Sequence, residues 1–170
     1  MSVSQTELYH AERRRLMRLP LVVVSCGDMK HHMRTEAQHM YIGPYATSCR
    51  LYGLALARSL GGAPVKILSA KWGFIDLRAI IEPYDVAFGD RDAISLEDLK
   101  RQAAFEGVDR RVIMIGGRRY FEIVRKCWPH TAERGIPIGA ETRGIGNQLR
   151  WLKHQTRELE LNHQPLAVPV

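Results

Sequence analysis

Leu19-Pro20-Leu21-Val22-Val23-Val24-Ser25 is an apolar, largely β-branched run with no polar alternation. A strand of that kind needs cover on both faces, which is the situation of a central strand in a parallel sheet and not of a half-solvated antiparallel one. From Tyr45 the apolar residues Cys49, Tyr52, Leu56 and Leu60 recur at helical spacing, and Gly61-Gly62 stops the pattern. Val65-Lys66-Ile67-Leu68-Ser69 then reads as a second strand, so strand, helix and strand follow in the order that builds a right-handed parallel unit.

The rest of the chain extends that unit. Ser95 with Glu97 and Asp98 opens a helix that Gly107 can end, and Arg111 to Ile115 makes a third strand. Helical spacing resumes from Arg119 to Cys127 until Pro129, and Ile136-Pro137-Ile138 is short enough to be an edge strand. A last helix starts near Ile145, with Leu149, Leu152 and Thr156 on one face. The expected fold is a three-layer, Rossmann-like α/β domain over residues 19–161, a mostly parallel sheet flanked by helices. Residues 1–18, with Arg13-Arg14-Arg15, form a basic arm or a frayed helix, and 162–170 form a loose tail.

A chain of 170 residues suits one domain, and 45% hydrophobic with 25% charged residues suits a globular one. No apolar run approaches the length that spans a bilayer, and the first residues lack a signal-peptide core, so no membrane partner and a cytoplasmic location are expected. Three widely spaced cysteines fit neither a disulfide framework nor a zinc ribbon, and His31, His32 and His39 have no metal-ligand spacing. No metal and no cofactor are expected. The net charge of +7, with 19 arginines among 25 basic residues, fits an anionic partner and equally fits simple surface solubility.

In an open parallel sheet the carboxyl ends of the strands share one rim, so reactive runs placed there can converge on one crevice. Five runs qualify. Ser25-Cys26 at the first strand end offers a thiol, with the loop histidines as possible bases or the thiol as a buried spectator. Ser69-Ala70-Lys71-Trp72-Gly73 offers an amine and an indole that can hold phosphate and stack on a base, or snorkel and pack. Glu82-Pro83-Tyr84-Asp85 offers two carboxylates and a phenol in a rigid loop, suited to acid or base work or to a plain turn. Gly116-Gly117-Arg118-Arg119 can cradle a phosphate at a helix start. Gly144-Ile145-Gly146 with Asn147 and Gln148 allows close backbone approach and amide readout of a polar ligand, or forms only the start of a helix.

Together with Lys30, Tyr41 and Pro44-Tyr45, these segments resemble a bacterial and phage family of small α/β proteins, distantly similar to the YaaA peroxide-stress proteins and the core domain of archaeosine synthases. The resemblance runs over roughly residues 21–153. It departs at Gly27-Asp28-Met29, where the family has a Ser- and Lys-rich run, and at Ile42-Gly43, where it has a serine. The resemblance implies a nucleobase or nucleic-acid context, since YaaA-type proteins are associated with DNA binding and archaeosine enzymes act on a modified base in tRNA.

The expectation is therefore an enzyme acting on a nucleoside, a nucleotide or a nucleic-acid base, by cleaving or exchanging an N-glycosidic bond or by modifying the base. Lys71, Asp85, Glu82, Tyr84 and Cys26 are the catalytic candidates. Ser25, Lys30, Tyr41, Ser69, Trp72, Gly73, Gly116, Gly117, Arg118, Arg119, Gly144, Gly146, Asn147 and Gln148 are the binding candidates. A non-catalytic DNA- or RNA-binding protein and a thiol enzyme built on Cys26 are the alternatives, and the oligomeric state is open.

Overall fold

The computed structural model describes residues 4–163. Strand β1 (Leu21–Ser25) is buried along its whole length. The reason is its position: it pairs in parallel with β3 (Val65–Ser69) on one side and with β6 (Val112–Ile115) on the other, so Val24 faces Ile67 and Ile115 as backbone partners. Alternate residues of β1 feed two separate cores. Val22 and Val24 pack with Cys49, Tyr52, Ile67, Ile115 and Leu152, whereas Leu21 and Val23 pack with Leu68, Leu99, Met114, Val124 and Trp128. Each such burial stabilises by about 1.5–3 kcal/mol, so a polar residue on either face would be felt.

The first core is covered by α3 (Pro44–Ser59) and α6 (Ile145–Asn162), the second by α4 (Leu96–Glu106) and α5 (Arg118–Cys127). The sheet is completed by β4 (Gly73–Asp76) and β7 (Ala132–Arg134), in the order β4-β3-β1-β6-β7. Only β4 is antiparallel, since the turn after Ser69 is too short to cross over and folds the chain back on β3 as a hairpin. The result is the three-layer, mostly parallel α/β fold expected. From β1 the chain moves outward to β3 and β4, then returns to β6 on the opposite side, which makes the gap between β1 and β6 the topological switch point.

Two segments differ from expectation, and a third takes one of its two expected forms. The edge strand is Ala132–Arg134, not Ile136-Pro137-Ile138, because parallel pairing to β6 needs backbone donors and Pro137 has none. Ile136 is buried without belonging to a strand, and Ile138 is 82% exposed. The N-terminal residues form helix α1 (Gln5–Arg18), started by a Ser4–Glu7 capping box and with none of its residues buried. It is tied to the amino end of the sheet by Arg110, which donates to the carbonyls of Leu16 and Leu19 at 2.6 and 3.0 Å. Finally, the long connection after β1 holds structure of its own: β2 (Thr35–Glu36), which pairs with β5 (Ile80–Ile81), the short α2 (Ala37–Met40), and a bridge between Lys30 and Tyr41. The tail expectation falls on residues beyond 163, outside the described residues, and Asn162 itself ends α6. None of the described helices is long and apolar enough to cross a membrane.

Candidate functional site

Ser69 ends β3 with its side chain fully buried, and its Oγ accepts the amides of Lys71 and Trp72 at 3.2 and 3.1 Å. Those two bonds shape the turn that puts Lys71 and Trp72 at the rim. Gly73 follows that turn, opening β4 at φ +76°, a conformation that disfavours any side chain. Trp72 is 43% exposed, so it does not serve as core, and the Lys71 ammonium lies 4.8 Å from its ring centroid.

The Glu82–Asp85 loop is tied to the same turn. The Tyr84 hydroxyl lies 2.7 Å from Ser69 Oγ and 2.7 Å from the Tyr41 hydroxyl. Two ammoniums flank its ring, Lys30 at 4.6 Å and Lys71 at 5.9 Å from the centroid. Burial pushes the Tyr41 phenol up to about 12. Burial, followed by the nearby Tyr41 and Cys26, pushes Tyr84 still higher, so both rings carry neutral hydroxyls at neutral pH.

Cys26 follows β1 and is buried, with its Sγ 3.1 Å from the Tyr120 hydroxyl on the first turn of α5. Burial, and then Cys26 itself, raise the Tyr120 phenol as well. His31 bonds with Met33 and stacks on His32, and His39 lies beside Glu36, so none of these contacts joins an imidazole to the thiol. Tyr120 is the residue that sequence reading missed. Its only signal is its position three residues after Gly117, which turns it toward the strand ends.

Glu82 lines a cleft of about 570 Å³ with Lys71, Trp72, Arg34, Ile75, Ile80, Ile81 and Pro83. A comparable cleft of about 520 Å³ runs between α3 and α6, lined by Ile42, Leu51, Lys153 and Arg157, but it holds none of the five reactive runs. The structure thus gathers Lys30, Tyr41, Ser69, Lys71, Trp72, Gly73, Glu82 and Tyr84 into one site, with Cys26 and Tyr120 alongside. Asp85 is exposed in the same loop.

The remaining candidates have other surroundings. Gly116 packs tightly, since a Cβ there would meet Ser25 Cβ at 2.8 Å and Met114 Cε at 2.7 Å. Ser25 is buried beside it. Gly117 is the N-cap of α5 and faces open space. Arg118 is paired with Glu122 at 2.8 Å, and Arg119 lines a separate cleft under Phe88 and Gly89. Gly144 and Gly146 open α6, where Asn147 donates to the Arg143 carbonyl and Gln148 accepts from Tyr45 at 2.6 Å. Among the described residues no cluster of three or more His, Cys, Asp or Glu side chains could hold a metal ion.

Residues 21–154 match the family described as Family of unknown function (DUF6884). No curated protein and no solved structure matches the chain.

Proposed function

We propose that this chain, which belongs to the family of unknown function DUF6884, binds a nucleoside, a nucleotide or a base of a nucleic acid in the Lys71–Trp72–Glu82 cleft and acts on its N-glycosidic bond or on the base. The observation that carries this reading is the exposed indole of Trp72 beside Lys71 and Glu82 in one cleft. An indole left half open at a strand end offers a stacking face, ammonium and guanidinium groups hold phosphate, and a carboxylate stabilises a sugar cation as its bond to the base breaks. The volume of about 570 Å³ is in the range of small-molecule sites, roughly 300–1,000 Å³.

In this reading Trp72 stacks on the base, Lys71, Lys30 and Arg34 hold phosphate, and Glu82 faces the sugar, with Asp85 as the second carboxylate of the loop. A base within duplex DNA would have to be flipped out of the stack to reach this cleft. The strand-end motifs, read from the sequence as resembling those of YaaA-type proteins and archaeosine synthases, point to the same nucleobase context. The thiol alternative has less support, because Cys26 is buried against a phenol instead of a base.

A non-catalytic nucleic-acid-binding role is favoured by one separate observation: His10, Arg13, Arg14, Met17 and Arg18 line a shallow cationic cleft on α1. Thermal-shift titration against nucleobases, nucleosides, mononucleotides and short oligonucleotides separates the two readings, since a ligand selective for the native state raises its stability by mass action. A shift with a mononucleotide that is lost in Lys71→Ala supports the cleft reading. A shift with oligonucleotides alone, fading steeply with salt and unchanged in Lys71→Ala, overturns it in favour of the α1 surface.

A further inference from the structure

The hydroxyl chain Ser69–Tyr84–Tyr41 contains one proton more than it can use internally. A serine hydroxyl has one proton to donate and two lone pairs to accept with. Ser69 Oγ already accepts two amides, from Lys71 at 3.2 Å and Trp72 at 3.1 Å, so its proton goes to Tyr84, 2.7 Å away. Tyr84 and Tyr41 then share a single 2.7 Å contact with two phenolic protons between them. One proton fills that contact, and the other has no acceptor among these three hydroxyls.

Burial decides which one is left over. Tyr41 is 1% exposed, so a proton stranded there would be a buried donor without a partner, which costs about 1–3 kcal/mol. Tyr84 as a whole residue is only half-buried, and its loop neighbours Glu82 and Pro83 line the cleft. The lower-energy arrangement has Tyr41 donating to Tyr84, so the Tyr84 oxygen accepts two hydrogen bonds and its own O–H is left for a ligand. Its ring lies in a positive setting, with the Lys30 and Lys71 ammoniums 4.6 and 5.9 Å from the centroid and neither lysine in an ion pair among the described residues.

We infer that the Tyr84 hydroxyl, with Lys30 and Lys71, forms a phosphoryl-oxygen site, so that the substrate of the proposed reaction carries a phosphate at this point. The inference rests on the cleft reading above and narrows it from any nucleoside to a phosphorylated one, either a free mononucleotide or a phosphate of a polymer. A neutral phenol fixed by two accepted hydrogen bonds is oriented before the ligand arrives. Two ammoniums supply the charge that a phenol lacks.

Calorimetric titration of the full chain with inorganic phosphate, AMP, adenosine and a short oligonucleotide tests this. Phosphate and AMP are expected to bind, and Tyr84→Phe to weaken both by roughly 10- to 100-fold, the effect of losing one hydrogen bond to a charged group. Tyr41→Phe should weaken them only a few-fold, because Tyr84 keeps its free proton. Lys71→Gln, a change at the rim that threatens the fold least, should also weaken phosphate. An oligonucleotide that binds at least tenfold more tightly than AMP, with the same loss in Tyr84→Phe, assigns the phosphate to a polymer.

The inference is overturned if phosphate and AMP fail to bind, if Tyr84→Phe binds them within twofold of the parent, or if Tyr41→Phe is the more damaging change. Adenosine separates this from the cleft reading. Phosphate binding lost in Tyr84→Phe with no adenosine binding keeps the phosphoryl site and removes the nucleoside reading. Adenosine binding without phosphate binding does the reverse.

Discussion

The hydroxyls of Ser69 and Tyr84 meet at 2.7 Å although they belong to two different loops. Ser69 Oγ is thereby the joint of the site. It holds the Lys71 and Trp72 amides on one side and the carboxylate loop on the other. Ser69→Ala removes all three bonds from a fully buried position and leaves two amides without that acceptor. A loss of about 2–4 kcal/mol is expected from the unfolding midpoint in urea, since each unmet buried group costs about 1–3 kcal/mol and part of the turn re-solvates. A loss under about 0.5 kcal/mol would mean that the joint is not a joint.

Two glycines that look alike in sequence should respond in opposite ways. Gly73 has φ +76°, and a Cβ there would meet Ile94 Cδ1 at 2.6 Å and collide with Gln102, whose side chain holds the Phe74 amide and the Trp72 carbonyl. Gly73→Ala is expected to destabilise by about 2–4 kcal/mol, the sum of a left-handed backbone penalty and overpacking. Gly146 lies inside α6, and a methyl group added there would have nothing within 4 Å. Gly146→Ala should therefore stabilise by roughly 0.5–1 kcal/mol through helix propensity. Equal responses of the two variants in denaturant unfolding would contradict this assignment.

These two glycines also show what a sequence can and cannot make legible. The all-apolar β1, the helical spacing of Cys49, Tyr52 and Leu56, and the Ser95 cap were each readable because one local rule acts alone. The hairpin into β4 was not, because its turn is stabilised by Ser69 and Gln102 side chains from outside the turn. Strand β7 was hidden because Ala132-Glu133-Arg134 carries no apolar pattern, and its pairing to β6 is made by backbone alone. In the site, the residue types at the strand ends were visible. That Tyr41 and Tyr84 would bond each other, and that Tyr120 would meet Cys26, depended on contacts over 43 and 94 residues of chain.

The buried phenols should make the fold sensitive to alkali. The Tyr41 phenol rises from 10.0 to about 12 in the folded protein, chiefly through burial. Below pH 10 the phenol is protonated in both states and its contribution to stability is fully present. Between pH 10 and about 12 the unfolded chain releases the proton first, so stability falls with rising pH until the folded phenol also titrates. At about 1.4 kcal/mol per unit, Tyr41 accounts for roughly 2–3 kcal/mol of that fall. Tyr41→Phe should flatten the drop in urea midpoint between pH 9.5 and 11.5, whatever its effect at neutral pH. An unchanged slope would show that Tyr41 is not held neutral by its surroundings.

Trp72 provides a test of ligand binding that is separable from stability. Because 43% of it is exposed, Trp72→Ala removes little core and should shift the unfolding midpoint by less than the change at Ser69. Base–aromatic stacking is worth about 1–3 kcal/mol per base, which corresponds to roughly 5- to 150-fold in affinity. If Trp72 stacks on the base while Tyr84 and the lysines hold the phosphate, then Trp72→Ala weakens AMP by that factor and leaves inorganic phosphate unchanged. Tyr84→Phe weakens both. Comparing the two variants across the two ligands therefore assigns each half of the nucleotide to its own part of the cleft, and an equal loss of AMP and phosphate in Trp72→Ala would remove the stacking role.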